Sequence, residues 1–439
     1  MKGTSKTPSF NLRVVLNETG IKPDTLRAWE RRYGLPLPER SAGGHRLYSQ
    51  YDIETIKWLM ARQDEGLRIN RAVKLWRSIE AGGQDPLVEM PLKIPHEGAV
   101  TPVQVSGASL VEMRGEWIRA CKDFDEKRSE LILAQAFATN SVETVCIEIL
   151  RKGLSQIGSQ WYEGEVTVQQ EHFASTQAIR KLDALLSAAP PPTRDRTILV
   201  ACPPIEDHIF PPLLITLFLR RRGWNVIYLG ANVPQDHLDE SIEAISPDLV
   251  IMTAMQLYTA ANLKQVAHFL ADKGVLLGYG GLIFTILPSL IEIIPGYYLG
   301  DSLDLVVQEA EKLLTDPPRL SSTAPPSAEY QQAFESFIKA LPDINAYMWD
   351  VINQNGMELG HLEIANEYLA RDIKAALKLG DIGFAGEELS WIEALIENRN
   401  VPQENLRNYM NYYQQALEKY LDERGKPIIE WAQMMTNSA

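Results

Sequence analysis

Hydrophobic and polar positions change their period along the chain, and these changes mark its regions. From Ser109 onward, apolar residues recur every three to four positions, as at Met113, Trp117 and Cys121. This spacing is typical of amphipathic helices. It predicts one helix from Ser109 and others over 125–138, 142–160 and 164–186. Four helices of this length predict a four-helix bundle at residues 107–188.

Residues 196–316 follow a different pattern, in which short apolar runs alternate with helical segments. This alternation predicts a Rossmann-like α/β domain with a doubly wound parallel sheet. The loops that follow the strands of such a sheet meet at one carboxyl edge, where ligands bind. The predicted strands lie at 197–202, 225–230, 248–254, 274–280 and 297–300.

One histidine lies on the loop after the first of these strands. His208 precedes a helix predicted from Pro212, so it is placed at the ligand-binding edge. Small residues at the ends of the other strands leave a channel there for the tail of a bulky ligand. These small residues are Gly230, Ala231, Gly280 and Gly281.

The first region, residues 8–78, has the pattern of a winged helix-turn-helix. A helix beginning within residues 9–12 is followed by a tight glycine turn and by a second helix from near Thr25, which Asp24 caps. A glycine-tipped hairpin at 40–48 then precedes a helix over Ile53 to Gln63, which Asp52 caps. We expect Trp29 to pack in the core and Tyr48 to pack there or touch DNA. The predicted DNA contacts are Thr25, Arg27, Arg31, Arg32, Arg40, His45, Arg46 and Tyr48.

Charge separates this head from the rest of the chain. Residues 1–80 hold 15 Lys and Arg against 9 Asp and Glu, in a chain whose net charge is −14. A basic head on an acidic body favours nucleic-acid contact through the head. Three cysteines without paired spacing argue against a disulfide framework and a zinc site. No apolar run is long enough to span a membrane, and we expect a cytoplasmic protein.

Two segments rich in proline interrupt the pattern. The composition of the segment 81–106 predicts a flexible linker. The composition of Pro317 to Ser327 predicts a hinge before an acidic region at 325–439. Apolar faces over 328–340, 342–356, 360–379, 384–399, 403–422 and 426–436 predict an all-α domain there. We interpret it as an interaction or oligomerisation domain that binds a protein partner. The alternative is a second small-ligand site lined by Trp349, Trp391, Tyr409, Tyr412 and Tyr413.

Two stretches of the head resemble the MerR family of transcription regulators. They are Thr-Leu-Arg-Ala-Trp-Glu-Arg-Arg-Tyr-Gly-Leu at 25–35 and Gly-His-Arg-Leu-Tyr at 44–48. The resemblance covers residues 8–78. It implies that the second helix enters the major groove of double-stranded DNA while the wing follows the phosphate backbone. We expect a homo-oligomer, a dimer or tetramer, on a near-palindromic operator.

The order of residues further along resembles the cobalamin-binding module of CarH/CarA-type, light-responsive MerR regulators. Nine residues separate Trp161 from Glu171-His172, and His208 follows the next strand. The resemblance implies that His208 is the metal ligand, that Glu206 orients its imidazole, and that Trp161 and the Glu-His pair cover the adenosyl group. Because Glu171 and His172 are adjacent, we do not expect them to share one face or form a metal pair. Other implied cofactor contacts are Gly230, Thr253, Met255, Gly280 and Gly281.

The chain departs from this pattern at three places. Pro211 stands where the family has Gly, Thr253-Ala254-Met255 replaces Ser-x-Leu or Ser-x-Thr, and Tyr162 follows Trp161 where some light sensors carry His. We expect Pro211 to narrow the channel for the cofactor tail, and we do not expect a bis-histidine state after illumination. Adenosylcobalamin is the predicted ligand, and a biliverdin-type bilin or haem is the alternative.

The sequence therefore predicts a multidomain transcription regulator, a repressor that senses a tetrapyrrole through ligand-dependent oligomerisation. We expect no enzymatic activity, because a corrinoid enzyme needs a substrate barrel of about 250 residues and no stretch supplies one. A further interpretation is a cofactor-free regulator controlled by a protein bound to the C-terminal domain.

Overall fold

The computed structural model describes most of the chain as two compact units, residues 1–161 and 162–439. The described residues are 5–40, 46–64, 67–81, 85–87, 109–316, 325–355, 362–387 and 403–438. The predicted linker lies outside them except at residues 81 and 85–87, and so does most of the predicted hinge, residues 317–324.

The head is a small helical domain with a three-stranded antiparallel sheet of order β1-β3-β2. Trp29 and Tyr48 are both buried in its core, beside Leu26 and Trp76, so the predicted packing role of Trp29 is confirmed. The elements are β1 (Phe10–Asn11), α1 (Leu12–Thr19), α2 (Pro23–Tyr33), β2 (Glu39–Arg40), β3 (Arg46–Tyr48), α3 (Gln50–Asp64) and α4 (Ile69–Ala81).

Helix ends in the head differ from the prediction. The N-cap of α1 is Asn11, whose side chain accepts from the Val14 N–H. Asp24 is not the cap of α2: it lies in the first turn and pairs with Arg27. Asp52 is not the cap of α3 either, although its carboxylate accepts a 2.7 Å hydrogen bond from the Ser49 N–H. Both helices begin earlier than predicted. An acid in the first turn still stabilises each helix, because it lies near the positive end of the helix dipole.

The first unit continues with α5 (Leu110–Lys122), α6 (Glu126–Thr139), α7 (Val142–Val145) and α8 (Lys152–Tyr162). The stripe of Met113, Trp117 and Cys121 is buried as predicted. The helix predicted over 142–160 is not uniform, because residues Cys146–Arg151 form a π-helical turn. A Cβ at Gly153 would lie 2.7 Å from the Trp117 ring, so glycine there makes room for the indole.

The second unit begins with α9 (Val168–Ser187), followed by the predicted five-stranded parallel sheet. Its order is β5-β4-β6-β7-β8, so the chain leaves β4 in one direction for β5 and returns past it for β6. A ligand crevice is expected where the order reverses, at the carboxyl end of β4. The strands are β4 (Thr197–Ala201), β5 (Asn225–Gly230), β6 (Leu249–Thr253), β7 (Leu277–Gly280) and β8 (Tyr297–Tyr298); the helices are α10 (Phe210–Arg221), α11 (Leu238–Ile245), α12 (Leu257–Asp272), α13 (Leu282–Ile286) and α14 (Leu303–Thr315).

The C-terminal region is helical where it is described. The helices predicted over 328–340 and 342–356 are one helix, α15, that passes through Pro342 without a break. Pro342 is exposed, so water can satisfy the carbonyl that the missing N–H leaves free. The elements are α15 (Ala328–Asn355), α16 (Leu362–Leu379), α17 (Phe384–Glu387), α18 (Gln403–Tyr420) and α19 (Lys426–Ser438).

The C-terminal helices share one continuous hydrophobic core with the sheet domain. This core runs from Val250 and Leu263 through Phe337 and Ile373 to Tyr413. The separate C-terminal module stays a prediction. In the described residues its helices pack on one another, and α16 also packs on α12 of the α/β domain. Tyr409 and Tyr413, predicted as lining a ligand site, are core residues, and Trp391 lies outside the described residues.

In the part of the chain that the structure describes, none of the helices has the length and apolar character needed to cross a membrane.

Candidate functional site

The loop between β4 and α10 is held in place by backbone hydrogen bonds. Ile205 adopts a left-handed conformation, with φ of 68°. Its N–H donates to the Asn232 side-chain oxygen at 2.7 Å, and the Asn232 N–H donates to the Glu206 carbonyl at 2.9 Å. Asn232 follows β5, so the end of β5 fixes the loop that carries His208.

Glu206 holds the imidazole of His208. Its Oε1 lies 2.6 Å from His208 Nδ1 and accepts from the His208 backbone N–H at 3.0 Å. Its Oε2 accepts from the Met255 N–H at 2.7 Å, which ties the loop to the end of β6. The Glu206 side chain is 0% exposed and that of His208 is 50% exposed. The bond to Nδ1 leaves Nε2 as the ring nitrogen available to a ligand.

The two residues shift each other's pKa in opposite directions. The hydrogen bond to Glu206 raises the pKa of His208, although burial of the ring opposes this shift. Burial by itself would raise the pKa of Glu206, but its bonds with His208 and the Met255 N–H outweigh burial and lower it. Glu206 is therefore a carboxylate near neutral pH, and it favours the Nδ1–H tautomer of the neutral ring.

Helix α9 brings a second Glu-His pair toward this loop. Glu171 lies close enough for its charge to raise the pKa of His208. Glu171 Oε2 lies 2.7 Å from His172 Nδ1, and its Oε1 accepts from Ser175 at 2.6 Å. The prediction that Glu171 and His172 cannot share a face is wrong, since the two side chains bend toward each other. Most of the His172 side chain is exposed.

The edge of the sheet has features that suit a large polar ligand. Thr253 is 2% exposed, and among the described residues its hydroxyl has no hydrogen-bond partner other than the weakly bonding Cys202 thiol. A Cβ on Gly230 would meet no atom within 4 Å, and one on Gly280 only the Gly300 carbonyl, at 3.8 Å. A corrinoid needs a protein ligand for its metal and room for its tail. The half-exposed histidine, the buried hydroxyl and the open space before the two glycines suit both needs.

Four other positions singled out in the sequence have a less direct relation to the site. Gly281 has φ of 127°, and a Cβ there would lie 2.0 Å from the Ala254 carbonyl, so packing of strand ends explains this glycine without a ligand. Pro211 lies in the first turn of α10 and is half-buried. Trp161 and Tyr162 end α8 and are partly buried.

The head presents most of the predicted DNA contacts on α2 and the wing. Arg27, Arg31 and Arg32 are exposed on α2 with Thr25 partly so, and Arg40 is exposed on β2. On β3, Arg46 Nε donates to Glu30 at 2.7 Å, which links the wing to α2 while the side chain stays 37% exposed. His45 lies outside the described residues.

Tyr48 does not have the predicted exposure. Its side chain is 0% exposed, and its hydroxyl donates to Glu30 at 2.6 Å. The prediction of a direct DNA contact at Tyr48 is therefore wrong, and the residue supports the wing from below. Glu30, which fixes both Arg46 and Tyr48, was not expected from the sequence.

Comparisons with known proteins match the same regions. The model "MerR HTH family regulatory protein" matches residues 10–79, and two models named "B12 binding domain" match residues 114–186 and 197–301. The chain thus has the domain composition of a MerR-family cobalamin-binding regulator. B12-binding models support cobalamin, and the findings give no support to a bilin.

Two relatives align with this chain over much of their length. The chain is 29% identical to the HTH-type transcriptional repressor CarH of Myxococcus xanthus over 256 residues, which is 58% of this chain and 82% of that protein. It is 29% identical to the repressor CarA of the same organism over 267 residues, 60% of this chain and 82% of that protein. The chain is homologous to both repressors.

Other similarities are narrower. The HTH-type transcriptional regulator MlrA of Escherichia coli is 46% identical over 55 residues, 12% of this chain and 23% of that protein. A solved monomethylamine corrinoid protein of Methanosarcina barkeri is 14% identical with a TM-score of 0.42, over 47% of this chain and 100% of that one.

Proposed function

We propose that the protein is a transcriptional repressor that binds adenosylcobalamin and couples the state of this cofactor to DNA binding. The observation that carries the proposal is the half-exposed His208 ring, held at 2.6 Å by the fully buried carboxylate of Glu206. A ring fixed through Nδ1 presents Nε2 in one direction, as a metal-ligating histidine requires.

The surrounding residues have distinct roles in this proposal. His208 would ligate the metal through Nε2, and Glu206 would keep the ring oriented. Thr253 and the space before Gly230 and Gly280 would receive the displaced tail of the cofactor. When bound, adenosylcobalamin supplies a cobalt–carbon bond whose lability belongs to the cofactor. Trp161, Glu171 and His172 would cover the adenosyl group.

The DNA part of the proposal depends on the head. The exposed arginines Arg27, Arg31, Arg32 and Arg40, together with the outer face of Arg46, suit phosphate and groove contacts. A cofactor controls DNA binding only if it binds one oligomeric arrangement more tightly than another. We propose that the cofactor state changes the oligomer, and so the pairing of heads on a near-palindromic operator.

The experiment that tests this function is a DNA-binding titration on the protein's own promoter, with and without adenosylcobalamin, in darkness and after illumination. We expect the apparent affinity and the oligomer size to change with the cofactor in the wild type. His208→Ala should bind DNA like the cofactor-free wild type under all conditions. If adenosylcobalamin changes neither DNA affinity nor oligomer size, the coupling does not exist.

A further inference from the structure

The C-terminal domain packs against the cofactor-binding domain through two helices, α12 and α16. The ammonium group of Lys264 on α12 is buried at this contact and donates to the Leu379 carbonyl at 2.8 Å. Leu379 ends α16, so the cation lies at the negative end of that helix. A buried lysine needs such a partner, because an unpaired buried charge is costly. The contact between the two domains is therefore specific.

Helix α12 also holds the His208 loop. The Asn262 amide donates to the Pro204 carbonyl at 2.9 Å, and its oxygen lies 3.5 Å from Lys378 Nζ on α16. One residue thus contacts both the loop and the C-terminal domain. Just before α12, the Met255 N–H donates to Glu206.

A second connection runs through an aromatic stack at the start of α12. The Arg371 guanidinium of α16 lies 4.0 Å from the ring centroid of Tyr258 and 4.4 Å from that of Tyr368. Tyr258 lies in the first turn of α12, three residues after Met255, whose N–H donates to Glu206 at 2.7 Å. Arg371 therefore stacks on the turn whose backbone holds the acid of the His208 loop.

We propose that the C-terminal domain supports the cofactor site, and that Arg371 and Lys378 are positioning residues that hold the His208 loop through Tyr258 and Asn262. The cofactor part of this proposal rests on the function proposed above. The C-terminal domain then sets how rigidly His208 is presented, and with it the lifetime of the bound cofactor. A partner or modification that loosens α16 would weaken the site without touching it.

Hydrogen exchange of the full-length, cofactor-free protein tests the positioning directly. In Arg371→Ala and Tyr258→Leu, we expect exchange in peptides covering 203–209 and 252–258 to become about fivefold to tenfold faster, the factor for loss of a stacked cation. Tyr258→Phe keeps the ring and should exchange like the wild type. Arg371→Lys keeps the charge but not the planar stack and should be intermediate.

The matched control is Arg424→Ala, which removes an arginine paired with Asp422 and Glu335 within the C-terminal domain. It should leave exchange in both loop peptides unchanged. Unchanged loop exchange in Arg371→Ala and Tyr258→Leu overturns the proposal. So does equal acceleration in loop peptides and in a peptide over α14, which belongs to the same compact unit, because that result indicates general destabilisation. If Arg371→Ala does not fold, Arg371→Lys and Tyr258→Leu decide by the same criteria.

Cofactor release provides the second measurement. We expect adenosylcobalamin to dissociate about fivefold faster from Arg371→Ala than from the wild type or Arg424→Ala. Equal rates overturn the cofactor part of the proposal. If the wild type binds no cobalamin, the proposed function fails, and the exchange measurement still decides whether α16 positions the loop.

Discussion

Glu206 has no exposed surface, and its carboxylate lies 2.6 Å from Nδ1 of His208, whose side chain is half-exposed. The same carboxylate accepts from the backbone N–H groups of His208 and Met255. One buried acid therefore fixes the ring, the loop that carries it and the adjoining strand end. This arrangement explains why a single histidine at the edge of the sheet has a defined direction.

The pair makes the stability of the cofactor-free protein depend on pH. The pKa of His208 is raised above 6.5, so its contribution is complete below that value and is lost as the pH rises through the folded-state pKa. The pKa of Glu206 is lowered below 4.5, so its contribution is complete above that value and is lost as the pH falls through the folded-state pKa. The contribution of the Glu206–His208 pair to the free energy of unfolding should be largest between these two pH values.

We expect Glu206→Gln to remove this maximum. An amide does not titrate, and it has no negative charge to stabilise the protonated ring of His208. Urea unfolding at a series of pH values measures the effect. Glu240→Gln is the matched control, since Glu240 pairs with His237 on the surface, where both side chains are at least 75% exposed. Superimposable pH profiles for Glu206→Gln and the wild type would contradict the assigned interaction.

Variants of the head can distinguish residues that contact DNA from a buried residue that only supports the wing. Arg27→Ala should weaken binding to the protein's own promoter and lower the salt dependence of log K by about one. Arg46→Ala should weaken it as well. Tyr48→Phe should leave the salt dependence unchanged and lower the free energy of unfolding by about 1 kcal/mol, through its lost bond to Glu30. Anisotropy titrations at several salt concentrations measure these effects, and a wild-type slope in Arg27→Ala would count against the assignment.

Pro211 tests the shape of the channel. Proline fits the first turn of α10, where an N–H has no helical partner, but it is bulkier than the glycine that the resemblance to cobalamin-binding modules implies there. We expect Pro211→Gly to bind cobalamin more tightly than the wild type, even though glycine costs the helix roughly 1 kcal/mol. Equilibrium titration compares the two proteins. Equal or weaker binding by Pro211→Gly shows that Pro211 does not restrict the tail.

Tyr162 tests the fate of the cofactor after illumination. Because Tyr162 and not a histidine follows Trp161, no imidazole at this position would hold the metal after illumination, and we expect the spectral change to revert. Tyr162→His should give a more persistent photoproduct, because imidazole binds the metal more strongly than water does. Spectra recorded in darkness after a light pulse measure the decay, with Tyr162→Phe as the control. Identical decay in Tyr162→His and Tyr162→Phe would exclude this role.

Local pattern accounts for much of the fold. The apolar runs gave the five strands, and the position of His208 after β4 placed it at the carboxyl edge, since parallel topology brings every such loop to one side. The spacing of three to four residues likewise predicts that Met113, Trp117 and Cys121 are buried on one face of a helix. In each case neighbouring residues decide the outcome.

Long-range contacts account for the rest. Asn262 has no local signal, because its role depends on Pro204, 58 positions earlier. Arg371 contacts Tyr258 only because the C-terminal helices pack against the sheet domain. The proline-rich segment from Pro317 to Ser327 does not indicate this packing, because its composition predicts only a break between helices. The sequence does not decide which face of β3 carries Tyr48, because a strand of three residues has too few positions to show an alternation, and the hydrogen bond to Glu30 holds the side chain on the buried face.

The absorption spectrum of the protein reconstituted with adenosylcobalamin tests the central claim most directly. The account predicts that the wild type retains a corrinoid with an axial imidazole, and that His208→Ala loses that signature and most of the retained cofactor, with a milder loss in Glu206→Ala. A wild type that stays colourless on reconstitution, carries bilin or haem bands, or has the same corrinoid spectrum as His208→Ala would contradict it.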